Sequence, residues 1–552
     1  MERDTAATDP EGARPQASGG RRDLLLDVAV GIFVLVAYAT GQLFFLLGPQ
    51  PFDPAKYFET AVEFPDIPSD RWTLRSGLIA PVRVAVVLVG PTEAALYAVP
   101  LLTGLALAGS IYLTMLVLYR RRVLAAAAAL VATLNTNYLL NGSFIFPDTT
   151  ATATVTGGFL LLVLGSRELT RFGSGRFGTV AAAGAGALFG WSYLIREFSP
   201  VLLPAVAIAM VLLRYPLRRV AVLAGAAIVT ASLEFLYGYL LFDQPLIHLR
   251  KLVQHRGGRD VQDELDSVLD IFTLFPQLLT TWRFGWLFVV LIAWFIAALV
   301  WFRDRRLWFF ASWLFVFWGV LLVLGLASLP SGKWLLNVSN IRYWYPAFPP
   351  LVMGAFGGLA LLGQRVWPGT RGALLSSGAG TVLALLILVP GFVQFDRCEE
   401  RDVWRNDPLA RWHDLRAWFA TGAADDYTQL WADGQSEQLV PAYIRTTFGD
   451  LLWNGEVREF SRHRVHLRRV NPAGSLLLIH KDRLWTEPTA RAELEELRNE
   501  WAPLFETGDG RMVVLAHVST AGEAERETAP WWELPPPAPR SAPGCGLMPG
   551  KD

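Results

Sequence analysis

The sequence predicts a polytopic α-helical membrane protein with a small α/β domain near its C-terminal end. Three observations lead to this fold class. The 552 residues are 53% apolar and only 18% charged, with a mean hydropathy of +0.34, which is too apolar for an ordinary soluble protein. Apolar runs long enough to cross about 30 Å of hydrocarbon recur up to residue 395. Beyond that point, short patterns typical of strands and helices alternate.

Charge is distributed unevenly, although Lys plus Arg and Asp plus Glu both total 49. Residues 1–395 carry 30 basic and 23 acidic side chains, whereas residues 396–552 carry 19 and 26. Disordered, collagen-like and disulfide-scaffold proteins are excluded by this composition. We predict four parts: a disordered cytoplasmic tail at 1–20, a transmembrane domain at 21–395, an external α/β domain at 396–528 and a disordered Pro/Gly-rich tail at 529–552.

We predict eleven membrane spans, and short or Gly-rich runs allow a count of 11–13. They lie near 24–47, 95–118, 123–140, 150–165, 177–195, 198–213, 218–242, 284–302, 307–328, 344–363 and 372–395. Residues 77–94 could form a twelfth span, although an arginine in this stretch favours a helix in the membrane interface.

Arginines cluster in alternate loops, and with eleven spans every cluster falls on one side, which the positive-inside rule makes cytoplasmic. This places the N-terminus in the cytoplasm and the C-terminal domain outside the plasma membrane. The longer loops then face outward, and we expect the functional residues there. These loops are 48–94, 141–149, 243–283 and 329–343.

The first external loop contains Asp53-Pro54-Ala55-Lys56-Tyr57. Asp before Pro is a common start of a helix, so Asp53 could act as an N-cap. Alternatively, Asp53 removes a proton from an acceptor hydroxyl at the membrane boundary, while Lys56 and Tyr57 contact an anionic donor. The residues alone leave both interpretations open.

Further charged residues stand at the predicted outer ends of spans. Asp148 either caps the following helix or provides a second carboxylate for acceptor orientation or a divalent metal. Arg196 either pairs with Glu197 or contributes to a site. Arg342 and Tyr345 share one face of a predicted helix, and form either an aromatic belt with a snorkelling arginine or a fork for a lipid-linked phosphate.

Taken in order, these residues resemble the GT-C glycosyltransferases. The resemblance is to the lipid-phosphate-sugar-dependent branch, similar to glycosyltransferase family 39, which includes protein O-mannosyltransferases and the lipid A aminoarabinose transferase. It spans about residues 24–395. The motifs that carry it are Asp53 with Lys56-Tyr57, Arg75-x-Gly77 followed by Pro81 and Gly90, Pro147-Asp148, Tyr193-Leu194-x-Arg196-Glu197, Tyr239-x-x-Phe242-Asp243-x-Pro245-Leu246 and Arg342-Tyr343-x-x-Pro346-x-x-Pro349.

The resemblance implies a hexosyl- or pentosyltransferase that moves a sugar from a polyprenyl phosphate to a hydroxyl of a glycan, lipid or protein acceptor. It gives Asp53 the role of base or acceptor-binding group and Asp148 that of an acceptor-side or second acidic residue. The candidate donor-phosphate contacts are Lys56, Tyr57, Arg196, Arg342 and Tyr345. Because relatives often have two adjacent acidic residues where this chain has Asp53-Pro54, the role of a second carboxylate is open, as is the need for a divalent metal.

A phosphate leaving group needs stabilising cations more than a general acid. One base on the opposite face then gives direct displacement, so we predict a reaction with inversion. A transporter or flippase of lipid-linked glycans is the main alternative, and a non-catalytic scaffold is a third. A transporter should place polar residues along several mid-membrane helices, whereas the ionisable groups here gather at the outer ends, with Glu234 as an exception.

We expect no nucleic-acid partner, and the Arg- and Ala-rich composition points to a bacterial source.

In the C-terminal domain we predict strands at 426–432, 474–479 and 512–517 and helices at 435–448 and 488–504. The basic run at 462–469 is interpreted as a solvated or headgroup-facing strand.

Overall fold

The structure is a computed structural model. It describes residues 21–48, 53–70, 72–170, 173, 175–197, 199–247, 250, 268–280, 285–328, 341–399, 409–434, 436–446, 449–460, 474–481 and 500–517. Both predicted tails, the basic run at 462–469 and most of the predicted loop at 243–283 lie outside these residues.

Helices form nearly all of the described chain up to residue 399. They are α1 (Arg21–Phe44), α2 (Asp53–Glu63), α3 (Ser76–Val89), α4 (Glu93–Tyr119), α5 (Arg122–Leu134), α6 (Thr136–Gly142), α7 (Pro147–Gly165), α8 (Arg176–Ile195), α9 (Leu203–Leu212), α10 (Leu217–Ala231), α11 (Leu233–Phe242), α12 (Val268–Thr280), α13 (Trp286–Phe302), α14 (Arg305–Ser328), α15 (Phe348–Val366) and α16 (Thr370–Glu399). Short 3-10 turns at Ser199–Leu202 and Ile341–Ala347 precede α9 and α15.

The predicted polytopic helical fold is confirmed. Within the described residues, eight helical segments are long and apolar enough to cross a membrane. Each of the eleven predicted spans coincides with helical structure. The number eleven stays a prediction, because the shorter apolar helices include three of these spans as well as α3 (Ser76–Val89).

Antiparallel packing of α7 against α8 brings the first residues of α7 next to the last residues of α8. Small residues allow the close approach: a Cβ on Gly158 of α7 would lie 2.8 Å from the ring of Phe189 of α8. Phe159 contacts the same ring edge-on, with the centroids 5.4 Å apart. The loop residues that flank these two helix ends are thereby placed side by side.

A second apolar core joins this end of the bundle to the C-terminal region. It includes Tyr57 of α2, Ile195 of α8 and Tyr443 of the C-terminal region. Glu93, the first residue of α4, accepts a hydrogen bond from Arg416 at 2.7 Å. The C-terminal region therefore packs directly on the helices that surround the end of α8.

The C-terminal region contains a mixed five-stranded sheet with strand order β2-β1-β3-β5-β4. Its elements are α17 (Leu409–Phe419), β1 (Gln429–Ala432), α18 (Ser436–Tyr443), β2 (Glu456–Glu459), β3 (Ser475–His480), β4 (Trp501–Glu506) and β5 (Met512–His517). Strand β1 is parallel to β2 and β3, and β5 is antiparallel to β3 and β4. The α/β class and the three predicted strands are confirmed, although β1 begins at Gln429, three residues later than predicted.

The predicted helix at 488–504 is wrong over its last four residues. Residues 501–504 belong to β4, which pairs with β5 from Trp501 opposite His517 onward. Pro503 is tolerated because β4 is an edge strand with a register shift at this point. The remaining residues of that predicted helix, except Glu500, lie outside the described residues, and the predicted helix at 435–448 is shorter, ending at Tyr443.

Gly77 allows α3 to approach α8, and we expect Gly77→Ala to destabilise the protein. The added Cβ would lie 2.8 Å from the Cβ and 2.9 Å from the carbonyl carbon of Leu194. Overpacking of this kind costs about 1–3 kcal/mol, which should lower the thermal midpoint of the detergent-purified protein. Gly225→Ala in α10 is the control, because nothing lies within 4 Å of its Cβ position. Equal midpoints for the two variants would contradict the close contact.

Candidate active site

One cavity of about 170 Å³ lies at the end of the bundle on which the C-terminal region packs. Three guanidinium groups and two carboxylates face each other across it, an excess of one positive charge. Residues from the starts of α2, α3 and α7, the end of α8 and the 3-10 turn before α15 line it. They are Asp53, Tyr57, Trp72, Arg75, Pro147, Asp148, Arg196, Arg342 and Tyr343.

Two of the lining residues form a buried ion pair. Asp148 Oδ1 lies 2.9 Å from Nη2 of Arg196, and their side chains are 1% and 5% exposed. Asp148 is the second residue of α7, whose N-cap is Phe146, so it does not cap the helix as one interpretation expected. Arg196 directly follows α8. Each charge has the sign that its helix end favours, so both helix dipoles stabilise the pair.

Arg196 and Arg75 are fixed cations. Burial by itself lowers the pKa of Arg196, but Asp148, Tyr343 and Glu197 together raise it above its ordinary value. The Arg196 guanidinium also lies over the ring of Tyr343, 4.6 Å from its centroid. Arg75 is the N-cap of α3; its guanidinium donates to the hydroxyl of Tyr57, and its Nε lies 3.5 Å from Glu197 Oε1.

Burial lowers the pKa of Arg75, and Glu197 opposes this shift. The guanidinium is the most basic side-chain group in proteins, so both residues are cations.

Arg342 connects the two carboxylates. Its Nη2 lies 3.6 Å from Asp53 Oδ2, and its Nε lies 4.0 Å from Asp148 Oδ2. The guanidinium lies over the rings of Phe146 and Tyr343, at 5.2 and 5.5 Å from their centroids. Arg342 thus points into the cavity between two aromatic rings, rather than along a lipid-facing belt.

The two carboxylates differ in their access to the cavity. The Asp53 side chain is 27% exposed and that of Asp148 only 1%. Asp53 is the first residue of α2, and its Oδ1 accepts a hydrogen bond from the indole nitrogen of Trp72 at 2.8 Å. An incoming hydroxyl could therefore reach Asp53, while Asp148 is enclosed by its ion pair.

Two residues expected at the donor phosphate lie outside the lining of the cavity. Lys56 forms an ion pair with Glu59 at 2.7 Å within α2. Tyr345 is fully buried; its hydroxyl donates to the carbonyl of Asn137 at 2.7 Å and accepts from the amide of Asn141. The remaining predicted site residues, Asp53, Tyr57, Asp148, Arg196 and Arg342, all line the cavity.

Sequence reasoning did not assign Trp72, Arg75 and Tyr343 to the site. Arg75 and Tyr343 lie inside motifs that carried the family resemblance, so a signal for them was present. Trp72 lies three residues before Arg75, and no sequence pattern marks it as a site residue. No group of three or more His, Cys, Asp or Glu side chains that could hold a metal ion occurs in the described part of the chain.

Comparisons with known proteins place this cavity in a known fold. The sequence matches no family model and no curated protein. ArnT from Cupriavidus metallidurans bound to undecaprenyl phosphate aligns over 92% of this chain and 100% of its own, with a TM-score of 0.55 and 14% identity. The protein has the GT-C fold.

A second ArnT structure from the same organism, in the apo state, supports the GT-C fold with a TM-score of 0.56 over 90% of this chain and 98% of its own, at 14% identity. An oligosaccharyltransferase of Archaeoglobus fulgidus covers 77% of this chain and 64% of its own at 12% identity, and its TM-score of 0.43 carries no argument. At such identities the likeness establishes the GT-C fold and leaves the reaction to the site.

We expect Asp148→Asn to destabilise the protein strongly, because it leaves the buried Arg196 charge without its carboxylate. Breaking a buried ion pair on one side costs about 3–5 kcal/mol, which should lower the thermal midpoint. The double variant Asp148→Asn, Arg196→Met removes both charges and should recover part of the loss.

The control for this prediction is Glu168→Gln, which breaks the exposed pair with Arg214 at 2.8 Å. Such a pair contributes about 0–1 kcal/mol. A midpoint for Asp148→Asn close to that of Glu168→Gln would contradict the buried ion pair.

Proposed function

We propose that the protein is a membrane glycosyltransferase that moves a sugar from a polyprenyl phosphate to an acceptor hydroxyl. The observation that carries this proposal is a cavity in which the accessible carboxylate of Asp53 faces the guanidinium of Arg342, next to two further arginines. Its GT-C fold is that of ArnT, which has been solved with undecaprenyl phosphate. We infer the classes of donor and acceptor from this combination of fold and site.

The phosphate of the donor is the leaving group, and the arginines are suited to stabilise it. Guanidinium groups bind phosphate oxygens in bidentate fashion and stay charged when partly buried. Arg342 reaches furthest between the two carboxylates, with Arg75 and Arg196 also in the lining. Because these cations compensate the charge that develops on the phosphate, the reaction needs no general acid.

Asp53 is the group that can take the acceptor proton. In the proposed step, the acceptor oxygen forms a bond to the anomeric carbon while the bond from that carbon to the phosphate oxygen breaks. The electron pair leaves with the phosphate, and the acceptor proton passes to Asp53. A single displacement of this kind inverts the anomeric configuration. Asp148 holds Arg196 and Arg342 in place, since its own carboxylate is enclosed.

The location of the site follows from the charge pattern of the loops. All lining residues lie in or beside loops opposite the arginine-rich ones, which the positive-inside rule assigns to the external face. We therefore propose a plasma-membrane enzyme with a cytoplasmic N-terminus and an external C-terminal domain. A bacterial polyprenyl-linked donor would enter from the outer leaflet, and a glycan, lipid or protein acceptor from outside.

Asp53→Asn should lower the transfer rate by about 10²- to 10⁴-fold, the usual contribution of a general base. The assay is release of undecaprenyl phosphate, measured by mass spectrometry, from synthetic undecaprenyl phosphate hexoses and pentoses offered with a bacterial envelope extract. Asp66→Asn, an exposed change just beyond α2, is the control and should keep the wild-type rate.

Wild-type rates for Asp53→Asn would rule out its role as the base. Binding of the donor without release of undecaprenyl phosphate by the wild-type protein would instead favour a transporter of lipid-linked glycans.

Arg342→Lys should raise the KM for the donor by roughly ten- to a hundredfold, because lysine keeps the charge but cannot bind phosphate in bidentate fashion. Initial rates at varied donor concentration measure this effect. Arg365→Lys, an exposed change at the far end of α15, is the matched control. An unchanged KM for Arg342→Lys would remove Arg342 from the phosphate site.

A further inference from the structure

We propose that Trp72 is a positioning residue that keeps Asp53 from closing on Arg342 to hydrogen-bond distance. The inference rests on the proposed function, in which Asp53 is the base and Arg342 binds the donor phosphate. It adds a residue whose task is to keep these two groups near each other but separate.

The distances around Asp53 carry this inference. Its Oδ1 accepts the indole N–H of Trp72 at 2.8 Å, an ordinary hydrogen-bond length. Its Oδ2 lies 3.6 Å from Nη2 of Arg342, beyond the roughly 2.7–2.9 Å of a charge-assisted hydrogen bond. Opposite charges this close attract each other strongly in a partly buried site. The bond to Trp72 engages the other carboxylate oxygen, Oδ1, and so limits how closely Oδ2 approaches the cation.

The same cavity contains an example of a closed pair. Asp148 and Arg196 meet at 2.9 Å and are both buried. Asp53 and Arg342 have the same chemistry and lie in the same lining, yet they stay further apart. Asp53 also accepts the indole N–H of Trp72, and it is more exposed than Asp148, at 27% against 1%.

Hydrogen bonds with neighbouring residues fix the backbone at Trp72, so its indole can hold Asp53 against the attraction of Arg342. The carboxylate of Asp70 accepts the backbone N–H groups of Trp72 and Thr73, each at 2.9 Å. The hydroxyl of Tyr237 on α11 donates to the carbonyl of Thr73 at 2.7 Å. The turn that carries the indole is thus fixed at both of its ends.

A closed pair would impair both partners. The carboxylate would lose basicity because the guanidinium stabilises its charged form. The guanidinium would direct an edge at Asp53 that it otherwise directs at phosphate oxygens. Removing the indole N–H should therefore weaken phosphate binding, but only while residue 53 carries a negative charge.

The test is a double-variant cycle on binding of undecaprenyl phosphate to the full-length protein in lipid nanodiscs, measured by native mass spectrometry. Trp72→Phe removes the donor and keeps an aromatic ring. We expect its affinity to be about five- to tenfold weaker than that of the wild type, within the usual coupling of neighbouring side chains. In the Asp53→Asn background, the same change should have no effect.

Trp191→Phe is the control, because Trp191 packs against the same apolar core and does not line the cavity. It should leave the affinity unchanged. If Trp72→Phe does not fold, the pair Trp72→His and Trp72→Leu replaces it, since only histidine keeps a ring N–H donor. Histidine should then bind more tightly than leucine, and this difference should vanish with Asp53→Asn.

An equal loss of affinity in both backgrounds would show that Trp72 acts by packing and would overturn the proposal, as would no loss in either. The proposed function fails in a different way. If Asp53→Asn keeps the wild-type transfer rate while the binding cycle behaves as expected, Asp53 is not the base, but Trp72 still separates it from Arg342.

Discussion

Two opposite charges meet at 2.9 Å where the first turn of α7 and the end of α8 come together, almost wholly removed from water. A charge at this depth is expensive unless it is paired, so Asp148 and Arg196 fix each other's position. The antiparallel packing of α7 and α8, made close by Gly158 against Phe189, is what brings them together. The other lining residues are placed relative to this pair.

From this pair outward, the charged side chains of the cavity become more exposed. Arg342 lies 4.0 Å from Asp148 and 3.6 Å from Asp53, and stacks on aromatic rings. Asp53, at the start of α2, is the more exposed carboxylate and is oriented by Trp72. The buried pair of Asp148 and Arg196 is therefore the rigid part of the cavity, and Asp53 and Arg342 form its more exposed part. This gradient suits an enzyme that must hold a phosphate firmly and still admit a second substrate.

Much of this arrangement could be predicted from the sequence, because the physical signals are local. Long apolar runs identify the helices, and charges at their ends are costly enough to mark Asp53, Asp148, Arg196 and Arg342. What the sequence does not reveal depends on distant partners. The hydroxyl of Tyr345 is used by Asn137 and Asn141, more than 200 residues away, and Trp72 reaches Asp53 across a loop without any periodic pattern. Strand β4 was missed at 501–504 because its pairing with β5 is likewise non-local.

The central claim is that this cavity binds the phosphate of a lipid-linked donor. Cryo-electron microscopy of the full-length protein in lipid nanodiscs with undecaprenyl phosphate tests it most directly. We expect phosphate density inside the cavity, in contact with the guanidinium of Arg342 and within reach of Asp53. Phosphate density at another position, with Arg342 still between the two carboxylates, would contradict the claim.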